Sequence, residues 1–416
     1  MTIPHVKPSR RELFGLAAAL GVPPASPAEE PLPQPDLGNL HKIMEWAARE
    51  HAPDLSFLDD GWRSLEEWKR VARPYYRGLL RYSPKPRPLA AKLVTREPRD
   101  GFTIEQVRIS ATEAYDIQAW VLVPERGKGP FPGVVTIHCH GGNYVFGHEK
   151  IIGSAGEPEF ITEYRDKAYG RPYAELLAKR GYVVVVIDGF YFGSRRLKVE
   201  DLEPAVAPPY MRERLEGLRR LKHGTKEWYG AVNGLCHEYE NLTAKTMFSA
   251  GITWPGLLVW DDMRSVDYLA SRPDVDPKRI GCLGLSIGGL RTAHLIAADP
   301  RIKAACVAGW MTEFGSQLRK HLRWHTWMIY IPGLYSALDL PDAAALHAPG
   351  ALLVLQCLRD SLYPVAGMKG SVEKLGKIYA KAGIPDRFKG NFYDVPHSFT
   401  PVMQEEAFAW LDRWLK

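Results

Sequence analysis

Cysteine is scarce in this 416-residue chain, which holds five: Cys139, Cys236, Cys282, Cys306 and Cys357. No CxxC pair and no Cys/His spacing of the zinc-binding kind occurs, which argues against a small metal-stabilised module. Four of the five fall inside apolar runs, where Cys packs as a small hydrophobe, so free buried thiols are expected and a disulfide framework is not. Charge of one sign is also lacking. There are 54 Lys and Arg against 48 Asp and Glu, a formal net charge of +6, and Arg195-Arg196 and Arg219-Arg220 are only short pairs. Without a dense basic tract there is no footprint for a phosphate backbone, and no nucleic-acid partner is expected. No apolar run reaches the ~18 residues of a bilayer-spanning helix. No unit of roughly 20–50 residues repeats, which speaks against a solenoid or propeller. What remains is a globular balance, 45% hydrophobic and 25% charged, with length enough for one large core.

The N-terminus reads as an address. Ser9-Arg10-Arg11-Glu12-Leu13-Phe14 resembles the twin-arginine export motif, an apolar stretch from Leu13 to Val22 follows, and Ser26-Pro27-Ala28 offers small residues for cleavage after Ala28. Residues 1–28 are therefore expected to direct export to the periplasm or medium; a meaningless basic tail on a cytoplasmic protein is the alternative. Residues 29–37 read as a Pro-rich linker. A helical N-terminal extension is expected over 38–100. Leu40, Ile43, Met44 and Ala47 recur at helical spacing, as do Leu65, Trp68, Val71 and Ala72. It is too small for a core of its own and should pack on the main domain.

From residue 101 to 416 the pattern is that of one α/β domain. Phe102 to Ile109 and Ala114 to Val123 alternate like an antiparallel pair. Continuous apolar runs follow at Gly133 to Ile137, Tyr182 to Ile187, Arg279 to Leu285, Ala304 to Ala308 and Ala351 to Leu355. Such runs suit strands covered on both faces of a parallel sheet. Helical patterns separate most of them, and a last strand is expected near Phe392 to Val395. Insertions at 191–252 and 311–348 break the rhythm. The second is rich in aromatics, and insertions at the carboxyl edge of such a sheet shape a pocket.

Gly284-Leu285-Ser286-Ile287-Gly288 has the G-x-S-x-G pattern of a nucleophile elbow, after an expected strand and before an expected helix. A serine hydroxyl is a poor nucleophile near neutral pH, so a base must take its proton. In such enzymes acid and base follow the serine in that order along the chain. Asp360 lies just past the run Ala351 to Leu355, and His397 follows the last strand as the one histidine C-terminal to Asp360. Asp339 and Asp342 are fallback acids inside the second insertion. His138-Cys139-His140-Gly141-Gly142 is similar to an H-G-G oxyanion loop. The oxyanion donors are expected to be the N–H of Ile287 and that of Gly142 or Asn143. A metal set of His138, His140 and His148 is the rival reading of this loop; no metal is expected, because no Asp/Glu/His partner set is evident and the Gly pair favours the loop. Trp310 and Tyr191 are candidate substrate-binding residues.

Together these residues resemble the α/β-hydrolase superfamily from about Phe102 to the C-terminus. The nearer likeness is to bacterial acetyl xylan esterases and dienelactone-hydrolase-like serine esterases. It rests on the turn from Asp188 through Gly193 to Arg195, on Arg272-Pro273-Asp274-Val275-Asp276-Pro277 before the elbow, and on Asp360 to Pro364. The resemblance implies an α/β-hydrolase fold and hydrolysis of carboxylic esters without a cofactor, with short-acyl or acetyl esters of a carbohydrate as the expected substrate. Dienelactone hydrolases proper use a cysteine where this chain has Ser286. A prolyl-oligopeptidase-like peptidase is the alternative enzyme, disfavoured because the N-terminal segment is too short and too helical for a propeller. A non-catalytic binding relative is the other.

Overall fold

The computed structural model describes residues 34–416, so the twin-arginine segment and most of the Pro-rich linker lie outside the described residues. Among those described, nine strands form one sheet. They are β1 (Lys92–Arg99), β2 (Phe102–Ser110), β3 (Asp116–Pro124), β4 (Phe131–Ile137), β5 (Val183–Ile187), β6 (Val275–Leu285), β7 (Ile302–Ala308), β8 (Ala351–Cys357) and β9 (Phe388–Tyr393). Their spatial order is β1-β2-β3-β5-β4-β6-β7-β8-β9. The pairs β1–β2, β2–β3 and β3–β5 are antiparallel, and every pair from β5–β4 to β8–β9 is parallel. This is the α/β-hydrolase architecture. The all-apolar segment Val183–Ile187 is buried at every residue, as a strand covered on both faces must be.

Two edges differ from the sequence reading. β1 falls inside the segment expected to be helical. Its sequence, KLVTREPR, is exposed at nearly every position. An edge strand with one paired side needs no buried face, and its charges and Pro98 protect it from further pairing. β9 begins at Phe388, ahead of the expected start, and mixes Lys and Asn with half-buried aromatics.

The helix Leu65–Leu79 shows why the N-terminal extension docks. Ser64 caps it by accepting the Glu67 N–H, while Glu67 accepts the Arg63 N–H. Leu65, Trp68, Ala72 and Tyr76 form its buried stripe, each large side chain contributing roughly 1.5–3 kcal/mol. Arg73 Nε and Arg77 Nε donate to the carbonyls of Ala297 and Ala298 at 3.1 and 3.0 Å. These cations satisfy the C-terminal carbonyls of the helix Ile287–Ala298 and sit at the negative end of its dipole. The preceding helix, His41–Glu50, behaves otherwise: Leu40, Ile43, Met44 and Trp46 are exposed. Helical spacing fixed that helix without deciding what covers it.

Position follows from topology. β4 lies between β5 and β6, so the chain leaves the centre of the sheet in both directions, and Ile137 at the end of β4 pairs with Gly284 near the end of β6. The loops after β4 and β6 therefore flank the crevice where such sheets bind ligands. Among the described residues no helix is long and apolar enough to cross a membrane.

Candidate active site

Ser286 stands between β6 and the helix Ile287–Ala298 with φ 60° and ψ −122°. A non-glycine residue at positive φ with this ψ is strained and must be held by its surroundings. The hold comes from packing. A Cβ on Gly288 would lie 2.3 Å from the Ile137 carbonyl oxygen, and one on Gly284 would lie 2.5 Å from the Gly288 carbonyl carbon. Glycine at both positions lets strand, turn and helix close on β4. Ser286 N–H donates to the Ala308 carbonyl at 2.9 Å, anchoring the turn to β7. Ile287 is the first residue of the helix, so its N–H has no partner within it.

The acid and histidine loops are stitched together by backbone bonds. Leu358 N–H donates to Tyr393 O and Arg359 N–H to Val395 O, at 2.8 and 3.1 Å. Asp360 is buried. Its Oδ1 accepts the Leu362 N–H at 2.9 Å and its Oδ2 lies 2.5 Å from His397 Nδ1. Gly309, at φ 54°, lies beside the imidazole: a Cβ there would stand 2.9 Å from Leu285 Cδ1 and 3.4 Å from His397 Cε1. The carboxylate thus orients the ring by Nδ1. Ser286 and His397 line the same cavity, of about 300 Å³. Asp339 and Asp342 serve elsewhere. Asp339 caps the helix Leu340–Ala345, and Asp342 pairs with Lys374 at 2.5 Å.

The cavity is also lined by His140, Gly141, Gly142, His237 and Trp310, and by Trp324, His325 and Thr326 of the second insertion. Trp310 is fully buried and meets the Tyr363 ring edge-on at 5.7 Å. Trp324 is 67% exposed at the cavity edge. Burial holds the His325 imidazole down at about 4, so it is neutral at working pH.

Three expected positions come out differently. Tyr191 does not line the cavity. Its hydroxyl donates to the Cys236 carbonyl at 3.1 Å and its ring meets Trp254 and Tyr144 edge-on, which makes it packing for the first insertion. Gly142 N–H is spent on His140 Nδ1 at 2.9 Å, and Asn143 N–H on the His140 carbonyl at 3.2 Å. The turn closes on itself through His140, and Gly141, also at positive φ, keeps its N–H free of any intramolecular hydrogen bond.

The three histidines of the rival metal reading do not share one centre. His138 Nε2 accepts the Gly189 N–H, His140 faces Glu240, and His148 faces Asp188. Among the described residues His148, Glu149 and Asp188 are close enough to hold an ion. Asp188 is already committed there. Its Oδ1 accepts from the His148 N–H and faces His148 Nδ1, and its Oδ2 accepts from Ser194 N–H and Oγ. Burial opposes its charge, yet His148 and these donors hold the carboxyl below the usual range. The cluster ties the loop after β4 to the turn after β5.

Residues 171–405, more than half of the chain, match the Dienelactone hydrolase family model. The chain belongs to that family. The matched segment of this dienelactone-hydrolase-family protein contains Ser286, Asp360 and His397; the loop after β4 lies outside it. Among curated proteins it is 28% identical over 344 residues to YtaP of Bacillus subtilis (strain 168), a protein named for a hydrolase role, covering 81% of this chain and 96% of that one. A Bacteroides fragilis structure described as an acetyl xylan esterase superposes with a TM-score of 0.62 at 18% identity, over 84% of this chain and 81% of the other. A glucuronoyl esterase from Solibacter usitatus gives 0.58 at 14% identity, over 87% and 97%. At these identities the two structures speak for the fold.

Proposed function

We propose that this member of the family is a serine esterase that works through an acyl-enzyme on Ser286. The observation that carries the reading is the Asp360–His397 pair, 2.5 Å apart, whose His397 lines the same cavity as the strained elbow serine. With Nδ1 held by the carboxylate, His397 Nε2 is the face left to take the Ser286 proton as Oγ attacks the ester carbonyl. The alkoxide is stabilised by the N–H of Ile287 at the helix N-terminus and by the N–H of Gly141, in place of Gly142 or Asn143. Collapse expels the alcohol, which takes its proton from His397. Water then attacks the acyl-enzyme with the same base, releasing the acid and restoring Ser286.

Short acyl esters of a carbohydrate are the proposed substrates. Trp310, Ile329 and Tyr363 give the cavity an apolar wall, while His237 and His325 each keep a ring nitrogen without a protein partner among the described residues. An exposed indole beside such groups suits a sugar, which presents C–H faces and hydroxyl edges. Names among the structural neighbours, acetyl xylan esterase and glucuronoyl esterase, agree with this choice. Export through the segment at Arg10-Arg11 belongs to the same reading, since polysaccharides lie outside the cell.

Ser286→Ala tests the nucleophile. It should lose on the order of 10⁴- to 10⁶-fold in ester hydrolysis with the fold intact, and a fluorophosphonate should label wild type at Ser286. Turnover of p-nitrophenyl acetate within tenfold of wild type in purified Ser286→Ala would refute the assignment.

A further inference from the structure

We infer that Glu240 is a positioning residue for the oxyanion turn, acting through His140; the inference rests on the esterase reading above. Glu240 comes from the first insertion, on the helix Lys226–Ser249, and is buried. Its Oε1 lies 3.0 Å from His140 Nε2 and accepts from the Tyr144 hydroxyl at 2.7 Å. Thr326 Oγ1 lies 2.9 Å from both carboxylate oxygens, and Oε2 also accepts the Trp327 N–H at 3.4 Å. One carboxylate therefore joins the loop after β4 to both insertions.

The tautomer of His140 follows from its two partners. Nδ1 accepts the Gly142 N–H, so the ring proton sits on Nε2 and donates to Glu240. Held in this way, the imidazole captures Gly142 N–H and fixes the turn in the form that leaves the N–H of Gly141, a residue lining the cavity, without an intramolecular partner among the described residues. Burial would push the Glu240 carboxyl up, but its donors, His140 first among them, bring it below the ordinary range, so it is ionised at working pH. A negative charge close to a developing oxyanion opposes that oxyanion. If charge were its only influence, removing it would speed the reaction. A positioning role predicts the opposite sign.

The experiment compares wild type, Glu240→Gln, His140→Asn and the double variant, with p-nitrophenyl acetate kinetics, fluorophosphonate labelling rates and Tm. Glu240→Gln keeps the size and one carbonyl acceptor but loses the ionic hold on Nε2–H. Its kcat should fall roughly 10- to 100-fold, the scale of a displaced or mis-aimed oxyanion donor. KM should stay within about threefold, and labelling should slow in step with kcat. The double variant should be no slower than His140→Asn alone, because the two act as one unit. A kcat that is unchanged or raised in Glu240→Gln overturns the inference, as does a loss in the double variant equal to the product of the single losses. If Glu240→Gln fails to fold, folded His140→Asn must show the kcat loss by itself, and full activity there overturns it equally. Ser286→Ala is measured alongside. A dead Ser286→Ala with fully active Glu240→Gln rejects the positioning role alone, whereas an active Ser286→Ala rejects the esterase reading and the inference with it.

Discussion

Replacing Asp360 with asparagine exchanges one carboxylate oxygen for an NH₂ group and should cost about four orders of magnitude in rate. The carboxylate has one oxygen on the Leu362 N–H at 2.9 Å and the other 2.5 Å from His397 Nδ1. Asparagine fills the same volume but offers one acceptor. With its carbonyl oxygen kept on Leu362, its NH₂ faces Nδ1, and two donors cannot share a bond. The imidazole must then carry its proton on Nε2, the atom that in the proposed mechanism receives the Ser286 proton. A base held in the wrong tautomer loses about 10⁴-fold in kcat, roughly 5.5 kcal/mol at 1.36 kcal/mol per decade. KM should change little, because the interaction is made in the transition state. The assay is p-nitrophenyl acetate hydrolysis at saturating substrate, with Tm and circular dichroism to establish that the fold survives. Asp339→Asn is the matched control and should keep wild-type kcat, since Asp339 caps a helix. Folded Asp360→Asn within tenfold of wild type, or an Asp339→Asn that loses what Asp360→Asn keeps, would show that the acid has been misassigned.

Asp339 also yields a stability prediction: burial raises its carboxyl to about 6, above an unfolded value near 4, so the native state holds the extra proton and stability declines as pH rises through that window. Asn can keep the acceptor for Phe314 and Leu340 N–H, so Asp339→Asn should match wild type near pH 4 and gain up to about 3 kcal/mol by pH 8; a Tm lower than wild type at pH 8 contradicts this. For acyl length, kcat/KM on acetyl or propionyl esters should exceed that on octanoyl esters by at least about tenfold, roughly 1.4 kcal/mol, and Trp310→Ala should narrow the gap; a wild-type preference for octanoyl overturns the short-acyl wall. For export, Arg10→Lys with Arg11→Lys should leave precursor in the cytoplasm, and equal exported amounts of both versions would sink the signal.

How much of this was readable in the sequence depends on how local each signal is. The inner strands were legible because a strand covered on both faces is apolar without a break, as Val183–Ile187 and the run from Ala351 to Leu355 are. The elbow was legible because the glycines at 284 and 288 answer a steric demand of Ser286's own turn. β1 was not, since an exposed edge strand is selected for charge and against a buried face, and KLVTREPR carries no period. Helical spacing foretold the helix His41–Glu50, but the exposure of Leu40, Ile43 and Met44 depends on what lies opposite, which spacing does not encode.

The site divides along the same line. Ser286, Asp360 and His397 each follow a strand, and strand ends are where this architecture presents side chains, so chain order alone brought them to one edge. The oxyanion turn needed more. Gly142 and Asn143 were reasonable donors from the Gly pair, but which N–H stays free depends on whether His140 folds back on its own turn. His140 in turn faces Glu240, which lies a hundred residues further on in the chain, in the helix Lys226–Ser249, where the sequence shows an ordinary acid. Thr326, a further 86 residues on, completes the same carboxylate. Spacing cannot reveal a bond between residues 140, 240 and 326, because it is created only when two insertions settle over one sheet edge. That is also why the insertions, the least periodic parts of the chain, supply His237, Trp324 and His325 to the cavity and Glu240 to the turn beside it.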